Sequence, residues 1–222
     1  MRLLAIDTAS EACSVGVVDN GEPVIRSEVV GRGHAEILMR LIEEGMAEAG
    51  VAFADLDRIA VTVGPGSFTG LRIGIAAARG FALVTGKPAV GISTLAVHAE
   101  QARVLCGAHA VLAVLAAGRG ELYGAFYSAD GSEIEPPQAT SAQVLAAKLK
   151  DGALVAGSGS DLVVAALPMD VTVRVAHRHA SVNVAALCRL AAAAPAPTAA
   201  PRPLYLRPPD AKPQTAARIA RR

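Results

Sequence analysis

The chain has 222 residues, of which 52% are hydrophobic and 18% are charged, and its formal net charge is +1. This composition supports a sizeable core and excludes a largely disordered chain. The small net charge, the 3% of aromatic residues and the lack of tryptophan argue against an extended nucleic-acid surface with base-stacking platforms.

Cysteine usage and the apolar segments bear on where the protein functions. The three cysteines are odd in number and form no Cys-x-x-Cys pair, so we expect buried thiols rather than disulfides or a zinc ribbon. The N-terminal apolar run meets Asp7 before it is long enough for a signal-peptide core. The longest apolar stretch, 73–84, is interrupted by Arg79 and is too short to span a bilayer. We therefore expect a cytoplasmic protein with no membrane association.

Hydrophobic periodicity predicts an antiparallel meander followed by helix–strand alternation in the first half of the chain. Strands are predicted at 3–7, 13–18, 23–29, 56–63 and 89–92, with a tight turn at 19–21. Helices are predicted at 35–49, 69–85 and 94–103.

The second half repeats this order imperfectly. Strands are predicted at 111–116, 122–128, 153–157 and 171–175, and helices at 141–150, 161–166 and 181–193. Such a repeat favours an α/β protein with two lobes of mixed sheet flanked by helices. We place the N-terminal lobe at 1–103, the C-terminal lobe at 104–193, and an Ala/Pro-rich linker and tail at 194–222.

Two loops have the composition of a phosphate site. An acid and hydroxyls follow the first strand, and the glycine-rich segment 64–70 leads into a helix N-terminus that can hold an anion. The first loop is equally a polar turn, and the second matches neither the P-loop nor the G-x-G-x-x-G spacing. The candidate residues are Asp7, Thr8, Ser10, Gly64, Gly66 and Ser67.

Small residues form rows on the predicted helix 69–85. Gly70, Gly74 and Ala78 are four apart on one face, and Ala76 and Gly80 are four apart on the adjacent face. Glycine inside a helix costs roughly 1 kcal/mol against alanine, which indicates close packing that offsets the cost. Periodicity leaves open whether the neighbour is this chain's own sheet or another chain.

The long motifs of this chain closely resemble those of the TsaB (YeaZ) family. They are Leu-Ala-Ile-Asp-Thr-Ala-Ser at 4–10, Gly-His-Ala-Glu at 33–36, Val-Gly-Pro-Gly-Ser-Phe-Thr-Gly-Leu-Arg-Ile-Gly at 63–74, Gly-Ile-Ser-Thr-Leu at 91–95 and Pro-Leu-Tyr-Leu-Arg at 203–207. The resemblance implies a two-lobed fold of the actin/sugar-kinase ATPase type. It also implies a role in forming N6-threonylcarbamoyladenosine in tRNA.

The resemblance further implies a non-catalytic scaffold that binds the catalytic paralogue TsaD and acts with the ATPase TsaE. The first-lobe helices would form the partner surface and would pair as a homodimer in the absence of TsaD, and tRNA would be reached only through the complex. No cofactor is expected to be required, although weak binding of ATP, ADP or Mg²⁺ is allowed. The expected interface residues are His34, Leu38, Leu41, Ile42, Gly45, Arg72, Ile73, Ala76, Ala77, Gly80 and Leu83.

Departures from related patterns argue against catalysis. The paralogue carries His-x-x-x-His after the corresponding glycine-rich helix, whereas here the segment begins with Thr94 and keeps only His98. His177 and His179 have a spacing unsuited to one helical face, so we expect no metal centre.

The loops also depart from these patterns. Ala9 replaces the glycine that nucleotide-hydrolysing relatives place after the strand-end acid. The family's Asp-Ala-Arg-Arg before Glu-x-Tyr is replaced by Ala-Ala-Gly-Arg at 116–119.

Two enzyme classes remain as alternatives to the scaffold. One is an ATP-dependent small-molecule kinase or phosphatase of the same fold, which Asp7 and the two loops could support. The other is a metalloprotease, which the missing His-x-x-x-His disfavours.

Overall fold

The computed structural model describes residues 1–31, 33–118 and 120–207, which form two five-stranded mixed sheets and six α-helices. The first sheet has the order β3-β2-β1-β4-β5, and the second has the order β8-β7-β6-β9-β10. In each sheet the first three strands of the chain form an antiparallel meander, and the last two pair in parallel. The same topology therefore occurs twice, which confirms the predicted two-lobed fold of the actin/sugar-kinase type.

The strands of the first sheet are β1 (Arg2–Asp7), β2 (Ala12–Asp19), β3 (Val24–Val29), β4 (Arg58–Gly64) and β5 (Ala89–Ser93). The second sheet contains β6 (Val111–Gly118), β7 (Glu121–Tyr127), β8 (Glu133–Thr140), β9 (Leu154–Ala156) and β10 (Arg174–His177). The helices are α1 (His34–Ala49), α2 (Phe68–Thr85), α3 (Thr94–Cys106), α4 (Ala142–Ala146), α5 (Ser160–Val164) and α6 (Val184–Ala193).

The two sheets and their helices stack as alternating layers. Successive side chains of a strand point to opposite faces, so Leu4 and Ile6 of β1 pack with α1 and α2, whereas Leu3 and Ala5 pack with α6. Helix α3 lies between the lobes, because Val97 belongs to the core of the first sheet whereas other α3 residues pack on the second. Helices α4 and α5 cover the outer face of the second sheet.

Helix α6 and the segment after it return to the first lobe. Although α6 follows the second sheet in the chain, it packs on β1, β2, β4 and β5. The Arg58 guanidinium donates to the carbonyls of Ala191 and Ala194, each at 2.6 Å, and the Leu204 backbone N–H donates to the Val63 carbonyl at 2.7 Å. The predicted lobe boundary at residue 103 therefore stays a proposal, since later residues pack on the first lobe. The predicted tail from 208 onward lies outside the described residues.

Most departures from the predicted elements concern the second half. Strand β8 was not predicted, since Pro136 and Pro137 lie within it; proline is tolerated there because β8 is an edge strand. The helix predicted over 141–150 ends at Ala146. The helix predicted from residue 181 begins at Val184, where the Asn183 side chain caps it by accepting from the Ala186 N–H.

Helix α2 is longer and more apolar than the stretch 73–84 suggested. It has 18 residues and a mean hydropathy of 1.2, so by length and composition alone it could cross a membrane. One face of the helix packs on β4 and β1, while Arg72 and Arg79 are exposed on the remainder. A helix packed on a core commonly passes the same test, so this is weak evidence for a membrane span.

The two rows of small residues on α2 have different neighbours. A Cβ added at Gly70 would overlap the backbone of Thr8, and one added at Gly74 would overlap the Thr8 hydroxyl. A Cβ added at Gly80 would meet nothing within 4 Å. The glycines of the first row are therefore required because Thr8, directly after β1, lies against them. The second row is open at Gly80.

This difference predicts opposite effects for one substitution at two sites of the same helix. Gly80→Ala should raise the free energy of unfolding by about 0.5–1 kcal/mol, because alanine favours a helix and no atom obstructs its methyl group. Gly74→Ala should lower it by about 1–3 kcal/mol through overpacking against Thr8. Urea unfolding followed by circular dichroism measures both, and equal effects of the two variants would contradict the assignment of the rows.

Candidate functional site

The end of β1 and the loop before α2 pack closely against each other. A Cβ on Gly66 would overlap the carbonyl of Ala9, so glycine is needed there. The Ser67 backbone N–H donates to the same carbonyl at 2.7 Å, and the Ser67 hydroxyl accepts from the Gly70 N–H at 3.2 Å. Of the predicted loop residues, Gly66 and Ser67 thus pack directly on the segment that follows β1.

Asp7 is fully buried at the end of β1. Its Oδ1 accepts from the Thr62 hydroxyl at 2.6 Å and from the Ala9 backbone N–H at 3.1 Å, while its Oδ2 has no hydrogen-bond partner within the described chain. Burial raises the pKa of Asp7 to about 6, although the bonds from Thr62 and Ala9 act in the opposite direction.

The loop hydroxyls are used within the chain. Thr8 is buried, and its hydroxyl donates to the Gly70 carbonyl at 2.7 Å. Ser10 accepts from the Ala12 N–H at 3.4 Å, and its carbonyl contacts His34 Nε2 at 2.9 Å. These contacts stabilise the loops and use the Thr8 hydroxyl proton, whereas the Ser10 and Ser67 hydroxyls only accept in them.

An open cleft of about 540 Å³ separates the two lobes above these loops. The described residues that line it include no lysine or arginine, and Asp7 is not among them. The lining residues are Ala9, Ser10, Glu11, Gly31, Pro65, Gly66, Ser67, Thr94, Leu115, Ala116, Ala117, Tyr123, Ser158, Ala180 and Ser181.

A nucleoside triphosphate with Mg²⁺ fits this cleft poorly. Its phosphates need cationic groups or free N–H donors, whereas the described lining offers neutral groups and Glu11, and the Ser67 N–H is already bonded. The unpartnered Oδ2 of Asp7 is an acceptor for a cation, but it lies beneath the cleft wall. The described lining therefore does not favour a reaction on a bound nucleotide.

The α1 half of the predicted partner interface lies inside the chain. Its members pack on the first sheet because they form the apolar stripe of α1, so they are not available to a partner. They are His34, Leu38, Leu41, Ile42 and Gly45. His34 is held there by its contact with the Ser10 carbonyl.

The α2 half of the predicted interface lies largely at the surface. Ile73 and Ala77 are half-buried against the core, while the others are exposed, Leu83 to 85%. The exposed members are Arg72, Ala76, Gly80 and Leu83.

An aromatic–arginine cluster adjoins this surface and was not predicted. The Arg72 guanidinium lies 3.8 Å from the Phe68 ring centroid, and its Nε donates to the Tyr205 hydroxyl at 2.9 Å. The Phe68 and Tyr205 ring centroids are 5.2 Å apart. The Pro-Leu-Tyr-Leu-Arg motif at 203–207 was the sequence signal that could have indicated this cluster. Apolar side chains outside any predicted helix or strand need contacts with other parts of the chain to be buried.

The same motif also reaches the second lobe. Arg207 donates to the Ala117 carbonyl at 3.2 Å, forms an ion pair with Glu121 and lies 5.9 Å from the Tyr123 ring centroid. Within the altered stretch 116–123, Glu121 and Tyr123 therefore contact the C-terminal segment, while Arg119 lies outside the described residues.

The buried Asp7 predicts a pH-dependent stability. Its pKa is raised on folding, so its ionisation costs stability progressively as the pH rises from about 4 to about 6. Asp7→Asn keeps an oxygen acceptor but cannot ionise. The variant's stability relative to the parent should therefore improve between pH 4.5 and pH 7.5, by at most about 3 kcal/mol.

Urea unfolding at both pH values measures this change. The control is Asp170→Asn, at an exposed carboxylate, which should keep the parent's pH profile. A constant difference between Asp7→Asn and the parent across this range would show that Asp7 does not ionise with a raised pKa.

Comparisons with known proteins show which family this chain resembles. A model of the family described as "TsaD: tRNA N6-adenosine threonylcarbamoyltransferase" matches residues 25–156, which is more than half of the chain. The tRNA threonylcarbamoyladenosine biosynthesis protein TsaB of Escherichia coli (strain K12) is 41% identical over 134 residues, or 60% of this chain and 58% of that protein. The chain thus spans little more than half the length of this curated relative.

Two solved structures from Pseudomonas aeruginosa match nearly the whole fold. One, described as an uncharacterised protein with similarity to peptidase YEAZ, has a TM-score of 0.80 and 30% identity, covering 93% of this chain and 99% of that one. The other, described as YeaZ, has a TM-score of 0.75 and 31% identity, covering 86% and 90%. Because of this extended similarity and the family match, the chain belongs to the TsaB (YeaZ) family, within the group that the threonylcarbamoyltransferase model describes.

Proposed function

We propose that this chain acts in the formation of N6-threonylcarbamoyladenosine in tRNA as a non-catalytic subunit. In this role it binds and organises the catalytic paralogue TsaD, and the ATPase TsaE joins the complex. The observation that carries the proposal is the open face of α2, where small and apolar residues that the chain's own core does not need lie beside an arginine–aromatic cluster.

The α2 face has the properties of a close helix–helix contact. Gly80 has open space above it, and Ala76 one turn away is exposed, so a neighbouring helix backbone can approach this row closely. Leu83 and Val84, each 85% exposed, supply apolar area at the end of the helix. Arg72, held beside Phe68, supplies a preoriented charge at the other end.

The same face suits self-association when TsaD is absent. Two copies of one helix face are related by a two-fold axis in a homodimer, and a row of small residues is compatible with its own copy. We therefore propose a homodimer of the isolated chain through α2.

The non-catalytic assignment is supported by the loops and the cleft. The Thr8 hydroxyl and the Ser67 backbone N–H donate within the chain, and the described cleft lining has no cationic side chain. The formal net charge of +1 supports contact with tRNA only through the complex. The proposal includes a cytoplasmic location, where tRNA modification takes place.

A kinase or phosphatase acting on a small molecule is the second candidate. The unpartnered Oδ2 of Asp7 and the size of the cleft favour it, because a strand-end carboxylate can hold a metal–phosphate unit.

The partner surface is tested by placing a charge on the open side of α2. Ala76→Glu and Leu83→Glu should each weaken association with TsaD by at least about 30-fold, since a tight helix contact would desolvate the new carboxylate. Both sites are exposed, so the variants should keep the parent's circular dichroism and unfolding midpoint. Titration calorimetry with purified TsaD gives the affinity.

The matched control is Ile134→Glu, at a 61% exposed isoleucine of β8 in the other lobe. It should bind TsaD with the parent's affinity. Folded α2 variants that bind TsaD as tightly as this control would place the interface elsewhere.

The non-catalytic assignment predicts no appreciable ATP hydrolysis by the purified chain. Its phosphate release should be the same for the parent and for Asp7→Asn, because the signal then comes from trace contaminants. Turnover of about 1 per second, an ordinary enzymatic rate, that is lost in Asp7→Asn would favour the kinase or phosphatase instead.

A further inference from the structure

Three histidines from distant parts of the chain meet beneath the cleft. His98 lies on α3, His177 ends β10, and His179 follows two residues later. One ring nitrogen from each can be chosen so that all three lie within 4.8 Å of one another. The cluster therefore joins the interlobe helix to the edge of the second sheet.

Backbone contacts orient two of the three rings. His179 Nδ1 lies 2.9 Å from the Ser181 carbonyl, and His177 Nε2 lies 3.4 Å from the His98 carbonyl. A carbonyl only accepts, so each of these nitrogens carries the ring proton, and the lone pair lies on the other nitrogen. Metal-ligating histidines are commonly held in this way.

One of the two available lone pairs has no partner, and the other accepts a hydrogen bond that a metal ion would displace. His177 Nδ1 is buried with no hydrogen-bond partner, and His179 Nε2 contacts only the Gln101 amide nitrogen, at 3.1 Å. The Gln101 carbonyl oxygen is itself buried and unpartnered.

His98 is the clearest anomaly in the cluster. Its ring is fully buried, and although the Ala180 backbone lies close enough to raise its pKa, neither nitrogen makes a hydrogen bond of normal geometry among the described residues. At least one ring nitrogen is therefore unpartnered, and an unsatisfied buried polar group costs about 1–3 kcal/mol. Such a ring is explained if a bound group outside the protein chain completes its contacts.

We propose that His98, His177 and His179 together bind one divalent transition-metal ion of the zinc class. Three nitrogens at most 4.8 Å apart can reach zinc–imidazole distances of about 2.0–2.1 Å if each moves by less than about 1 Å. The His177 and His179 rings are stacked, with centroids 4.2 Å apart and an interplanar angle of 16°, so both rings must also tilt to direct their nitrogens at one ion.

The donor set favours zinc over magnesium or calcium. All three ligands are imidazoles, whereas the harder cations prefer carboxylate and carbonyl oxygens. Burial, reinforced by the neighbouring imidazoles, lowers the pKa of His98 to about 3 and that of His177 to about 4.

The exposed His179 provides a route to the cluster from solvent. With three protein ligands, a tetrahedral ion keeps a fourth position for water.

This site differs from the two-histidine helical pair considered in the sequence. Thr94 occupies the position one turn before His98, and the other two ligands come from the second lobe. Sequence spacing did not indicate the site, because residues 98 and 177 are brought together only by the fold.

Metal binding would fix one wall of the cleft. Ala180 and Ser181 line the cleft and directly follow His179, whose ring is bonded to Ser181. An ion bound to His98 would therefore hold this segment against α3.

The test is zinc binding by the full chain after chelator treatment and dialysis. Titration with Zn²⁺ should give one site per chain with submicromolar affinity and a higher unfolding midpoint. Substituted Co²⁺ should give the intense visible bands of a tetrahedral site without a thiolate charge-transfer band.

His179→Ala changes an exposed ring and should weaken Zn²⁺ binding at least 100-fold without unfolding the chain. The control is the double variant Cys106→Ser with His109→Ala, which removes a thiol and an imidazole outside the cluster and should bind as the parent does. Absence of a stoichiometric site in the parent, or unchanged binding by His179→Ala, would overturn the proposal.

Discussion

The close approach of α2 to the end of β1 determines much of the first lobe. Gly70 and Gly74 have no side chain, so the helix lies directly on Thr8, whose hydroxyl bonds to the Gly70 carbonyl. The loop 64–67 lies beside Ala9, whose carbonyl accepts from the Ser67 N–H. Because one face of α2 packs on Thr8, the second row of small residues, with Ala76 and Gly80, remains exposed.

The layered packing joins the two lobes through one shared helix. Helix α3 contributes Val97 to the first core and Leu95 to the core of the second sheet, so neither lobe has an independent boundary at this helix. The cleft lies beside a shared core element, and its walls come from loops of both lobes.

The sequence predicted local features well and long-range ones poorly. Strand alternation and glycine signals placed most elements of the first lobe, including the turn at Asn20, whose φ is 56°. Periodicity predicted the helix over 35–49, but it does not distinguish an apolar stripe that faces the chain's own sheet from one that faces a partner. The contacts of Tyr205 and the meeting of His98 with His177 depend on pairs of residues far apart in the chain.

The short C-terminal segment 204–207 limits how the two lobes can move. Leu204 is bonded to the end of β4, Tyr205 to Arg72 of α2, and Arg207 to the β6–β7 hairpin. Four extended residues span at most about 14 Å, so the hairpin cannot move further from α2 unless one of these contacts breaks. The segment thus links the start of α2 to the β6–β7 hairpin, and a displacement of one relative to the other must break one of these contacts or stretch the segment.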